Sequence, residues 1–286
     1  MCLKWGIGVR SRERGTDPER GTIAQRGSPL QRSGSPLGLA VGYKGVMRVA
    51  AIQYKAIRGD LLASLSGLVA HAQQAAVESD LLVLPEMAVT GYAFDDEGAA
   101  REVAEPPEGP TYEALAQVAR EHGCWIVSGF PEDAGAHLYN SAHVIDPRGE
   151  LVFVYRKTLL YEADLPWASP GDSGWRTFET SAGDFAVGIC MDLNDDGFIA
   201  WLTKRRPRAL AFPTNWIDQE QTPWDYWAWR MIDTGAAIIA ANSYGPDGAL
   251  KLRGESAIID GTTLLAAAPP TGDGVLRAEL LERAIS

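Results

Sequence analysis

Short apolar runs of four to eight residues, each closed by turn-forming residues, recur along the chain from residue 47 onward. Runs of this length bounded by Gly, Pro, Asp or Asn predict buried strands. They fall at residues 48–54, 81–84, 124–129, 138–145, 151–155, 175–180, 185–189, 208–212 and 236–242, with a closing hairpin at 254–260 and 263–268. Residues 61–79 and 112–122 carry apolar side chains at three- and four-residue spacing, the period of an amphipathic helix. Residues 224–234 read as a third helix, strongly aromatic through Trp224, Tyr226, Trp227 and Trp229, and best placed in the core. The tetrad Asp146-Pro147-Arg148-Gly149 is a turn, because proline pre-sets φ and glycine supplies the permissive position. Strands alternating with helices predict a layered α/β domain whose sheets are covered by helices.

Residues 1–46 break this pattern. Gly, Arg, Ser and Pro dominate there without hydrophobic periodicity, which predicts a disordered extension. Eight Lys/Arg stand against three Asp/Glu in it, so residues 47–286 carry −16 of an overall −11. Two readings remain open for the segment: a dispensable tail, or an upstream stretch preceding a start at Met47. An acidic domain argues against a nucleic-acid partner, which would meet a basic face. Three cysteines in 286 residues make no disulfide framework, so a reducing, cytoplasmic setting is the default. No apolar run reaches the roughly 18 residues that would suggest a membrane span, and the four histidines lack metal-site spacing with the cysteines.

Candidate chemistry gathers where three buried strands end. Glu86 follows LLVLP and precedes MAVTGY, apolar on both sides. A carboxylate placed there would be desolvated and its pKa raised, which suits a general base; most glutamates, however, are surface carboxylates. Lys157 leaves the strand at 151–155 and meets Leu159 and Leu160, and on its own it reads best as a snorkelling lysine. Cys190 closes the run Phe185-Ala186-Val187-Gly188-Ile189, at the carboxyl strand end where open α/β folds place their chemistry. Taken singly, Cys190, like Cys124, is a small core hydrophobe.

Together the segments LPEMAVTGY (84–92), YRKTLLY (155–161) and VGICMDLN (187–194) resemble the carbon–nitrogen hydrolase, or nitrilase, superfamily. Ala51-Ile52-Gln53, Tyr139-Asn140-Ser141 and Ala240-Ala241-Asn242 support the likeness, which runs over nearly all of residues 47–280. The resemblance implies a four-layer αββα sandwich and a Glu86-Lys157-Cys190 triad. Cys190 would attack an amide carbonyl and form a thioester. Glu86 would move its proton, and Lys157 with the Met191 N–H would stabilise the oxyanion. No metal or organic cofactor is expected. The resemblance also implies a second carboxylate beyond the lysine, with Asp164 and Glu162 as even alternatives, and substrate contacts from Asn215 and Trp216.

The RK-x-x-LY loop and GICMDLN segment look most like protein N-terminal asparagine/glutamine amidases, with Asp195 where those carry proline. An acidic pocket of Asp164, Asp192 or Asp195 could attract a cationic α-amino group; equally, Asp192 and Asn194 could cap the following helix. The substrate expectation is therefore a carboxamide of Asn or Gln type, free or at a peptide N-terminus. N-carbamoyl amino acids, small aliphatic amides and ω-amides are the alternatives, and a catalytically silent interaction protein is the reading from another class. The superfamily's habit of pairing implies a homodimer or larger homo-oligomer.

Overall fold

The computed structural model describes residues 45–281. Apart from Gly45 and Val46, the expected disordered extension lies outside the described residues. In chain order the strands are β1 (Val46–Gln53), β2 (Leu81–Val83), β3 (Trp125–Asp133), β4 (Leu138–Ile145), β5 (Leu151–Arg156), β6 (Thr177–Thr180) and β7 (Gly183–Val187). They continue with β8 (Ala209–Thr214), β9 (Ala237–Asn242), β10 (Tyr244–Asp247), β11 (Leu250–Arg253), β12 (Ala257–Asp260), β13 (Thr263–Ala267) and β14 (Gly274–Leu281). The helices are α1 (Leu61–Ala76), α2 (Glu97–Arg101), α3 (Pro110–His122), α4 (Asp196–Arg205) and α5 (Trp224–Met231).

Two six-stranded sheets form, in the orders β14-β1-β2-β3-β4-β5 and β13-β12-β9-β8-β7-β6. Alternation along each strand sends one side chain inward and the next outward. On β1, Val49 and Ala51 join the inter-sheet core, whereas Ala50 and Ile52 meet the helices. On β8, Ala209 and Ala211 face the other sheet, and Leu210 and Phe212 face outward. Helices α1 and α3 cover the first sheet through Leu68, Ala72, Leu115 and Ala119. Helices α4 and α5 cover the second through Phe198, Leu202, Trp227 and Met231. Sheets buried on both faces need apolar residues at every position, and this is why these strands read as continuous apolar runs rather than alternating ones. The architecture is the αββα sandwich.

The parallel trios β1-β2-β3 and β7-β8-β9 aim their carboxyl ends in common directions within each sheet. Some elements differ from expectation. Strand β14 pairs antiparallel with β1 along its full length, from Val46↔Leu281 to Gln53↔Gly274. Its sequence GVLRAELL places Arg277 and Glu279 between apolar residues, a half-exposed pattern that an apolar-run criterion passes over. The polar start of α4 hides it similarly. The aromatic segment ends as α-helix at Met231 and closes in a 3-10 turn over Ile232–Thr234. Trp227 is buried as expected, but Trp229 lies exposed. No helix among the described residues is long and apolar enough to cross a membrane.

One buried group makes the fold acid-sensitive. His143 on β4 stacks on Phe130 with ring centroids 3.6 Å apart and donates from Nε2 to the Pro107 carbonyl at 2.9 Å. Burial pushes its pKa down to about 3. A histidine held neutral in the fold favours unfolding once the unfolded chain can take the proton. Its stabilising share is therefore complete above about pH 6.5 and drains away toward pH 3. Urea midpoints measured between pH 7 and pH 4 should fall, and His143→Gln should show a smaller fall across that window.

Candidate active site

Glu86 is held by a turn that depends on a missing side chain opposite. Leu84 N–H donates to Val127 O, Gly129 N–H to Pro85 O, and Ala88 N–H to Gly129 O, at 2.8, 3.0 and 3.1 Å. A β-carbon on Gly129 would lie 2.5 Å from the Glu86 Cα. Glycine is what lets β3 approach that closely.

Lys157 leaves β5 with its N–H on Asn140 O at 2.8 Å. Its ammonium, with no exposed surface, lies 2.8 Å from Glu86 Oε1 and 2.7 Å from Asp164 Oδ2. Asn140 Nδ2 bridges the two acids, donating to Glu86 Oε1 at 2.7 Å and Asp164 Oδ1 at 3.0 Å. Glu86 Oε2 is buried and carries no hydrogen bond among the described residues. Tyr92 packs its ring 5.5 Å from the lysine Nζ, and its buried hydroxyl also has no partner among the described residues.

Cys190 opens a 3-10 turn, Cys190–Asn194, with φ +42°. A left-handed conformation costs a non-glycine residue roughly 1–2 kcal/mol and is kept only where neighbours over-determine it. Asp192 supplies that constraint. Its Oδ2 accepts from Ile189 N–H at 2.9 Å and from the Tyr155 hydroxyl at 2.8 Å. Its Oδ1 accepts from the N–H groups of Thr158 and Leu159, at 3.0 and 2.9 Å, and from the Thr158 hydroxyl at 2.9 Å. One buried carboxylate thus ties the cysteine turn to the chain just past Lys157.

Burial sets the electrostatics. It pushes the Cys190 thiol up to about 12, and Glu86 adds to that, while Lys157, the Thr214 hydroxyl and the Asn215 N–H pull it down. Burial also raises Glu86; Lys157 opposes this and Asp164 reinforces it. For Lys157, burial alone would lower the pKa, but Asp164 and Glu86 hold it well above its ordinary value. The resting arrangement is a neutral thiol beside a permanently charged ammonium and a carboxylate of raised basicity. Cys124, buried and raised to about 12 by desolvation, belongs to the core between the first sheet and its helices.

The structure brings together Glu86, Lys157, Cys190, Asp164 and Asn215, the last donating from Nδ2 to Glu86 O at 2.8 Å. Glu162 is exposed, whereas Asp164 is buried and paired with Lys157. Of the three acids that could have lined an acidic pocket, Asp164 is paired with Lys157. Asp192 spends both oxygens on protein donors, and Asp195 caps α4 by accepting from Gly197 N–H at 2.7 Å. Neither Asp192 nor Asn194 is the cap; Asn194 accepts from the Tyr226 hydroxyl. Met191 sits in the first turn of the 3-10 helix, where backbone N–H groups lack intrahelical acceptors. Trp216 anchors by its N–H to Asn242 at 2.9 Å, with its ring edge-on to Trp227. Asn140, Tyr92 and Gly129 were not anticipated as parts of the site.

A buried cysteine at a strained turn, set against a lysine clamped by two carboxylates, is an arrangement for acyl transfer. The carbon-nitrogen hydrolase family model matches residues 48–284. The chain belongs to this family. Among relatives, a protein N-terminal amidase of Saccharomyces cerevisiae is 34% identical over 148 residues, covering 43% of this chain and 32% of that protein. The chain thus spans only about a third of that relative's length. A nitrilase of Pyrococcus abyssi is 34% identical over 183 residues, covering 63% and 68%. In fold, the chain is similar to an amidase from Nesterenkonia sp. AN1, with TM-score 0.75, 22% identity and coverage of 86% and 94%.

Removing one carboxylate beside a buried ammonium leaves an under-compensated charge, a loss of several kcal/mol. Asp164→Asn should lower kcat/KM by about 10²-fold or more and lower the melting temperature. Glu162→Gln should stay within about 0.5 kcal/mol of wild type on both counts. Steady-state kinetics and thermal melts of the two variants check this.

Proposed function

We propose that the protein hydrolyses a primary carboxamide through a Cys190 thioester and releases ammonia. The Glu86-Lys157-Asp164 cluster beside a protonated thiol is the observation that carries the reading. A thiol raised to about 12 is not a standing nucleophile, so its proton must leave as the C–S bond forms. Glu86 Oε2, the carboxylate oxygen with no hydrogen bond, is the acceptor.

As sulfur attacks, the carbonyl π pair moves to oxygen, and the Lys157 ammonium and Met191 N–H stabilise that charge. Glu86 then returns the proton to the departing nitrogen, the C–N bond breaks, and ammonia leaves. A water gives its proton to Glu86 and attacks the thioester. Collapse of the second intermediate breaks the C–S bond, and the thiolate recovers the proton from Glu86. Lys157 stays charged throughout because both carboxylates hold its pKa up, so it serves as an electrostatic element rather than a proton carrier.

The finer substrate reading is a side-chain carboxamide of Asn or Gln type. It is supported by the RK-x-x-LY and GICMDLN segments and by the similarity to a protein N-terminal amidase. The test is ammonia release from free Asn and Gln, peptides with N-terminal Asn or Gln, N-carbamoyl amino acids, aliphatic amides and nitriles. Turnover of at least one carboxamide is expected, with Cys190→Ala falling to background in a folded protein. Removal of a nucleophile that acts as part of a unit costs on the order of 10⁶-fold. Ammonia release surviving in that variant contradicts the mechanism.

A further inference from the structure

The turn that carries Cys190 is held at both of its ends. Asp192 fixes the entry, through Ile189 N–H and the segment after Lys157. The exit is held by α5, a helix that contributes nothing to the Glu86-Lys157-Asp164 cluster. Arg230 donates from Nε to Leu193 O at 2.8 Å and from Nη1 to Asp196 Oδ1 at 2.9 Å. The Tyr226 hydroxyl, one helical turn earlier, donates to Asn194 Oδ1. Asn194 in turn donates from Nδ2 to Met191 Sδ at 3.0 Å. A chain of contacts therefore runs from α5 through Asn194 to the residue beside the nucleophile.

These contacts fall where the backbone cannot hold itself. The last carbonyls of a helical segment have no intrahelical donors, and this segment, Cys190–Asn194, is only five residues long. It begins at a left-handed residue, Cys190 with φ +42°, a conformation that persists only where its surroundings enforce it. A guanidinium placed on Leu193 O supplies one of the missing donors. The Arg230–Asp196 pair itself adds little, because Asp196 is almost fully exposed and its charge is screened by water. Tyr226 is set between Trp216 and Trp229, with ring centroids 5.7 and 5.6 Å away. Its ring is thereby fixed with the hydroxyl toward Asn194.

We propose that Tyr226 and Arg230 are positioning residues, which fix the exit of the turn so that the Cys190 thiol faces Glu86 and the Met191 N–H faces the developing oxyanion. Tyr226 acts through Asn194, and Arg230 through the Leu193 carbonyl. A short turn anchored at one end alone would swing the sulfur away from Glu86, and a displacement of 1 Å at a reacting group can cost about 10²-fold in rate. The kinetic consequence rests on the hydrolase reading. The orientation of the thiol belongs to the resting protein and is measurable without turnover.

The test uses the full chain carrying Tyr226→Phe, Arg230→Met, Asn194→Ala, or Tyr226→Phe together with Asn194→Ala. Iodoacetamide labelling of Cys190 at pH 7, followed on its own peptide, should slow by about tenfold in Tyr226→Phe and in Arg230→Met. The double variant should label no more slowly than Asn194→Ala, since a residue acting through another adds nothing once the intermediary is gone. A merely structural role predicts the opposite sign. Local loosening uncovers buried thiols, so Cys190 and Cys124 would both label faster. On any carboxamide that wild type hydrolyses, Tyr226→Phe should lower kcat by about tenfold and leave KM unchanged. Tyr226→Phe exchanges a hydroxyl for hydrogen and keeps the ring packing, so it decides the matter even where Arg230→Met does not fold. Labelling at the wild-type rate or faster in Tyr226→Phe, additive effects in the double variant, or a loss carried by KM overturns the proposal. Wild type silent on every amide overturns the hydrolase reading instead, and the labelling rates then decide this inference alone.

Discussion

An ammonium without any contact with water lies between two buried carboxylates, and the rest of the site is arranged around that fact. Lys157 is 2.8 Å from Glu86 and 2.7 Å from Asp164, in surroundings where an isolated charge would be prohibitively costly. The cluster is tolerable only because each charge has a partner and Asn140 donates to both acids. The same desolvation that makes the cluster costly makes it useful. It raises the basicity of Glu86 and keeps the thiol protonated, while Asp164 and Glu86 together hold Lys157 charged against it. In the proposed mechanism, activation of Cys190 is thereby a proton transfer within the site rather than a standing thiolate exposed to oxidation.

Holding such a cluster in register requires fixed backbone at three strand ends. Gly129 lets β3 close on the Glu86 turn. Asp192 accepts five donors from the Cys190 turn, Tyr155 and the segment after Lys157, so Cys190 and Lys157 share one strut. The left-handed Cys190 is sustained by that strut, much as strained residues elsewhere persist where their surroundings leave no alternative.

Much of this was legible in the chain because burial on both faces of each sheet writes strands as uninterrupted apolar runs, with the candidate site residues as their terminators. Glu86, Lys157 and Cys190 each end such a run. The β14 strand was less legible, since its half-exposed pattern resembles a polar loop. Asn140 was readable only as part of a match, Tyr139-Asn140-Ser141. Its bridging role depends on β4 passing both acids, a relation between residues 24 and 54 positions apart that no local pattern records. Asp192 was read as a substrate or capping group because an aspartate after an apolar run suits either role; only the long-range donors reveal it as a strut. Spacing does not separate Glu162 from Asp164; the difference between them is burial, with Asp164 enclosed against Lys157 and Glu162 exposed.

The central claim is that Glu86, not the intrinsic acidity of Cys190, governs the reactivity of the thiol. The direct measurement is the rate of Cys190 alkylation by iodoacetamide from pH 5 to pH 11 in wild type and in Glu86→Gln. The account predicts that wild type reacts readily at neutral pH once Glu86 is ionised, while the variant is slow there and keeps climbing with pH, because burial still holds its thiol above the ordinary value. Superimposable pH profiles for the two proteins would contradict it.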